Sequence, residues 1–172
     1  MKMKKEFKLY NIILPIWLLY YFPVTWIVVL PANFLIDFLV TYLSLKHLKV
    51  NDVIPIIKKT IFKTWIFGFL ADFIGGVLMF LTNFVEGSGG IYDWWYKNII
   101  SGIMMNPFTS IYSFIYVLFC IAVSSYFIYI FNMKFVFNNI EIEDDKKDKL
   151  SLYLAIFTAP IFFLIPSGLF MY

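Results

Sequence analysis

The chain has 172 residues, 62% of them hydrophobic and 15% charged, against roughly 45 to 50% and about 25% in soluble domains. A soluble fold of this size cannot hide 21 Phe, 12 Tyr and 5 Trp, whereas a bilayer offers ~30 Å of hydrocarbon in which such side chains are at home. The net charge of +3 does not point to nucleic acid, because the lysines flank apolar runs and form no basic patch interleaved with exposed aromatics.

The expected fold class is all-α. The chain reads as one integral membrane domain over residues 1–172, a polytopic helical protein with about five transmembrane helices, an N-terminal helical hairpin and an interfacial amphipathic helix. Its first partner is the lipid bilayer. Every one of the 14 basic residues is Lys, and with Ile, Phe, Asn and Tyr abundant this bias suggests an AT-rich bacterial genome. Cys120 is the only cysteine, which excludes an internal disulfide and a Cys-x-x-Cys motif.

Residues 1–8 carry four lysines and precede an apolar run without a small-x-small cleavage site, the pattern of an uncleaved signal anchor. Residues 9–45 contain one charge, Asp37. As a single helix they would measure about 55 Å, nearly twice the hydrocarbon thickness. The run is therefore predicted to fold back with its apex between Pro23 and Pro31, giving helices at 9–28 and 31–48.

Residues 51–63 set Val53, Ile54, Ile57, Ile61 and Phe62 against Asp52, Lys58, Lys59 and Lys63. That spacing predicts a helix lying in the interface with its lysines reaching the headgroups. A third span is expected over 64–85, interrupted in polarity by Asp72 and Asn83. A Gly-rich turn occupies 86–90, and after it come Tyr92, Trp94, Trp95 and Tyr96, which resemble an aromatic belt at the membrane surface. Asn106-Pro107 breaks the next apolar run, leaving 99–105 as a re-entrant or interfacial piece and a fourth span at about 108–131. Residues 132–149 read as a cytoplasmic loop, and the last span is placed at 150–171, kinked at Pro160.

This parse puts thirteen lysines on one side of the membrane and only Lys97 on the other. The positive-inside rule then predicts a cytoplasmic N-terminus and an extracytoplasmic C-terminus in a cell membrane, on the compositional hint a bacterial plasma membrane.

Asp37 and Asp72 are the chemically informative residues. Asp37 is nine residues from Lys46 and Asp72 nine from Lys63, so both are expected about 13 Å along their helices from the cytoplasmic end. A charge at that depth costs ~3 kcal/mol on insertion scales, and such acids often mark ion or proton pathways. Asn33, Asp37, Thr41 and Ser44 make a polar stripe on one helix. Gly68, Asp72, Gly75, Gly76 and Asn83 lie on a face of the next, where Ala71 with Gly75 gives a small-xxx-small pattern for close packing. Ser113, Tyr116, Cys120 and Ser124 offer a third wall. The same acids also fit a purely structural role, as neutral hydrogen-bond partners that lock helices together or contact another subunit.

His47 reads as an interfacial histidine, and the Gly87 turn lacks the Lys-Ser/Thr of a phosphate loop. The acids between Glu141 and Asp148 do not match an EF-hand. No catalytic residue, metal site or cofactor is assigned. Three functions remain as expectations: a non-enzymatic subunit or partner of a transport, export or immunity assembly, through other membrane subunits or self-association; a proton- or cation-linked carrier or channel using Asp37 and Asp72; and an intramembrane enzyme using the two acids as a pair, which requires the carboxyls to be close.

Overall fold

A computed structural model describes residues 22–166. Their regular structure is all helical, with no β-strand among them. Among the described residues three helices are long and apolar enough to cross a bilayer, over Val29–His47, Val53–Phe84 and Ile111–Val136.

Helix α1, Phe22–His47, runs unbroken through Pro31, so the hairpin expected between Pro23 and Pro31 is not formed. The physical reason lies in residues 24–30, Val-Thr-Trp-Ile-Val-Val-Leu, which offer no Gly, Asn, Asp or Ser with which to build a turn. Reversing the chain there would leave backbone groups unpaired in hydrocarbon, which costs more than the single bond Pro31 removes. Pro23 falls in the first turn, where no intrahelical N–H bond is lost. Residues 9–21 lie outside the described part of the chain, and so does the side on which Met1 lies.

α1 ends in a Schellman turn. Val50 N donates to Leu45 O and Lys49 N to Lys46 O, with Lys49 in the left-handed region at φ 52. The turn returns the chain into α2, Val53–Leu81, whose 29 residues measure about 43 Å. The interfacial segment and the third span are thus one helix. Nothing between 52 and 64 breaks it, since Pro55 sits in its first turn, and Ile56, Ile57, Thr60 and Ile61 face the protein interior. Lys58, Lys59 and Lys63 extend from the outer side of the same turns.

A 3-10 turn, Thr82–Phe84, leads through the Gly87 loop to α3, Gly90–Trp95. This continues as a π-turn, Tyr96–Ile100, and then α4, Ser101–Met105. The chain breaks at Asn106-Pro107 as expected, and α5, Ile111–Phe131, begins at Ser110, whose side chain accepts from Tyr112 N.

α5 runs on through a π-turn, Asn132–Val136, and α6 occupies Asp144–Phe157. Residues 144–149, expected as loop, are therefore helix. Their acids come first and their lysines three or four residues later, which suits both the helix dipole and the side-chain pairs Lys146–Glu143, Lys147–Asp144 and Lys149–Asp145.

The last span does not form as one helix over 150–166. α6 stops at Phe157, ahead of Pro160, which cannot continue it. At 14 residues α6 is about 21 Å long, short of the hydrocarbon thickness; residues 167–172 lie outside the described part.

α2 is the central element, packed on α1 along one side and α5 along another, while α6 packs on α5 and α1. The alternation gathers Lys46, Lys49, Lys58, Lys59, Lys63, Lys134, Lys146, Lys147 and Lys149 at one end and leaves Lys97 at the other. Large apolar side chains such as Leu35, Leu39, Leu43, Phe62, Ile66 and Phe73 stand on the outside of α1 and α2, as lipid-facing residues do.

Candidate functional site: two carboxyls in one membrane cavity

Asp37 and Asp72 line one cavity of about 90 Å³, room for a few waters. α1 supplies Asn33, Ile36 and Asp37; α2 supplies Trp65, Gly68, Phe69 and Asp72. Helical periodicity puts 33 and 37 on one face of α1, and 65, 68, 69 and 72 on one face of α2. Gly68 makes room for the acid opposite it: a Cβ there would lie 3.5 Å from Asp37 Oδ2. Trp65 holds the far wall by donating its ring N–H to Leu30 O at 3.2 Å and meeting Phe34 edge to face.

The remaining wall comes from the C-terminal end of α6 and the segment beyond it, Phe157, Thr158, Ala159 and Phe162. A continuous helix over 150–171, as the apolar run suggests, would carry these residues past the cavity. Pro160 is the sequence signal that marks the bend.

Asp37 is 7% exposed. Asp72 Oδ1 is enclosed without a hydrogen-bond partner. Both line the same cavity, and the ion pairs formed among the described residues all lie within α6 and the residue before it. The site thus concentrates negative charge or bound protons in a low-dielectric pocket with no cation among the described residues that line it.

The other residues singled out in the sequence divide by partner. Thr41 lies one turn from the cavity and is fully buried. Asn83 does not line the cavity; it sits at the end of α2, where its side-chain N–H donates to Phe80 O. Ala71 is buried, and Gly75 faces α5, where a Cβ would collide with Ser124 Oγ and approach Cys120 O to 3.1 Å. Gly76 faces open space.

The α5 stripe is therefore not a third cavity wall. Ser124 and Cys120 pack on Gly75, Tyr116 donates to Leu78 O and Ser113 to Pro107 O. Of the belt aromatics, Trp95 donates to Thr82 O, Trp94 meets Tyr112 edge to face, and Tyr92 lies beside Tyr96. These contacts fasten α3 to the end of the bundle opposite the lysines.

Two residues missed in the sequence belong to the same interface. Thr60 and Thr64 are buried on α2 at four-residue spacing from Gly68 and Asp72. Dividing one helix at residues 63 and 64 splits this row and conceals it.

No group of three or more His, Cys, Asp or Glu side chains able to hold a metal ion occurs among the described residues. Comparison with protein-family models, curated proteins and solved structures found no match to this chain.

Proposed function

We propose that this chain binds a proton or a small cation at Asp37 and Asp72 within the membrane and acts as a carrier or channel component. The observation that carries the reading is the shared cavity in which both carboxyls lie without a cationic partner among the described residues. Leaving two carboxylates uncompensated in a low-dielectric site is strongly unfavourable, so a positive species from solution is the natural occupant. Asn33, whose side chain carries both a carbonyl and an amide, lines the same cavity and can orient water or a carboxyl there.

In proteoliposomes, Asp37→Asn and Asp72→Asn are each expected to abolish flux driven by a pH gradient, with helicity by circular dichroism unchanged. Wild-type flux in both variants would remove the proposal.

A second reading, that the chain is a subunit or partner of a larger membrane assembly in a bacterial plasma membrane, is favoured by size. The three helices among the described residues that are apolar enough to cross a bilayer, around a cavity of about 90 Å³, do not by themselves enclose a path of ~30 Å, and further helices from a partner or a second copy would complete one. Crosslinking in native membranes should recover a partner or a second copy. A lone monomer under those conditions counts against this reading and leaves the binding proposal standing.

A further inference from the structure

The carboxyl cavity is rich in free acceptors, and two of the donors in its wall are already spent. The Trp65 ring N–H goes to Leu30 O at 3.2 Å and the Thr158 hydroxyl to Leu154 O at 2.8 Å. Asp37, 7% exposed, has neither a hydrogen bond nor an ion pair among the described residues, and Asp72 Oδ1 is enclosed in the same condition. An anion would meet two carboxyls there, and a neutral apolar molecule would leave both unmet. The fitting occupant carries positive charge.

The rest of the wall distinguishes one kind of cation from another. Trp65, Phe69, Phe157 and Phe162 line the cavity together with Ile36, so most of its surface is aromatic or alkyl carbon. In a space of about 90 Å³ any occupant stands against these side chains. A proton fills none of that volume, and a metal ion would exchange firmly held water for carbon. An ammonium bearing alkyl groups suits it better, because aromatic rings attract such a cation within about 6 Å and form the cages that recognise it. Apolar walls with a few placed polar groups are also the general make-up of a small-molecule site.

The rim extends the selection. Ile36, Phe157 and Phe162 are exposed, while Asn33 and Asp72 are half-buried, so among the described residues the cavity opens at the surface of the bundle. Nine residues, about 13 Å of helix, separate Asp37 from Lys46, and at that depth the surface meets hydrocarbon. An alkyl chain attached to the ammonium lies along this rim at no cost in exposed apolar area.

We infer that the cavity at Asp37 and Asp72 takes the headgroup of an amphiphilic alkylammonium ion. Its charge is held by the carboxyls, its alkyl substituents lie against the aromatic wall, and its chain runs over Ile36, Phe157 and Phe162. The inference rests on the cation-binding reading above and narrows that cation to an organic one.

The test uses the full chain in nanodiscs of zwitterionic lipid, titrated calorimetrically with hexyltrimethylammonium and with hexanol, an uncharged probe of the same chain length, after subtraction of empty nanodiscs. The ammonium should saturate one site per chain. Asp37→Asn and Asp72→Asn should each weaken it about tenfold or more and leave hexanol unaffected. Phe69→Leu, which keeps an apolar side chain and removes the ring, should weaken the ammonium about threefold or more, again without effect on hexanol. Asn83→Leu, away from the cavity, should change neither. Circular dichroism reports folding, and if an asparagine variant does not fold, the Phe69→Leu comparison decides. Ammonium binding that is unchanged in the folded asparagine variants, or no stronger than in empty nanodiscs, overturns the inference. Equal weakening of both probes in Phe69→Leu overturns it as well, since apolar packing alone would then account for binding. Sodium and proton uptake by the same nanodiscs, followed with indicator dyes, separates this failure from that of the wider reading. Uptake lost in the asparagine variants leaves the cation site standing without its organic ligand, and uptake indifferent to them removes both.

Discussion

At the residue scale the decisive positions are the small ones, because they fix how near each polar group comes to its neighbour. Gly68 gives Asp37 its space, whereas Gly75 lets α5 approach until Ser124 and Cys120 lie against α2. The two glycines face different helices, which a stripe drawn on one helix does not reveal. Gly75→Ala should cost ~1–3 kcal/mol, the usual range for overpacking, read as a lower unfolding midpoint in mild detergent. Gly76→Ala is the control: no atom lies within 4 Å of its added Cβ, so the change should be neutral or stabilise by up to ~1 kcal/mol. Equal loss in both variants would show that helix propensity, and not the α2–α5 contact, governs the effect.

At the element scale, α6 is the least conventional part of the bundle, a charged helix start whose far end closes a membrane cavity. Its first turns carry three exposed lysine–carboxylate pairs, each weak alone and screened by salt. Asp145, by hydrogen bond and charge, holds Lys149 above the ordinary lysine range. Its contribution is therefore complete below the unfolded lysine value and is lost only as pH rises through the raised one, so acidification toward neutral pH should not loosen the pair. The firmer tie is the bond from the Tyr129 hydroxyl on α5 to Asp148. Tyr129→Phe should weaken α6 docking, measured as faster amide hydrogen exchange in α6 with α5 unchanged. Uniform acceleration across both helices would instead indicate a global loss of stability.

At the scale of the whole molecule, nine lysines at one end and Lys97 at the other predict that the lysine end faces the cytoplasm. In a Cys120→Ala background, Ser88→Cys should react with an impermeant thiol reagent applied outside intact cells, and Asn51→Cys and Asn138→Cys only after the membrane is opened. The reverse pattern would invert the molecule.

The medium, the helical class and the charge asymmetry were legible in the sequence because they depend on composition and on which residue types flank each apolar run. Where helices begin and end was less so, and with it the depth of Asp72: nine residues from Lys63, it stands 19 residues into α2, which begins at Val53. Pro31 is read as a break until one asks where a turn would find its hydrogen bonds, and the lysines of 58–63 suggest a separate surface helix until burial of Ile56, Thr60 and Ile61 ties them to the span. Only the tertiary structure decided that the two acids share a cavity, that the segment after α6 closes it, and that the α5 polar stripe is spent elsewhere. Those outcomes depend on the rotation of each helix about its axis, which is set by contacts between residues far apart in the chain and leaves no mark on the spacing within any one helix.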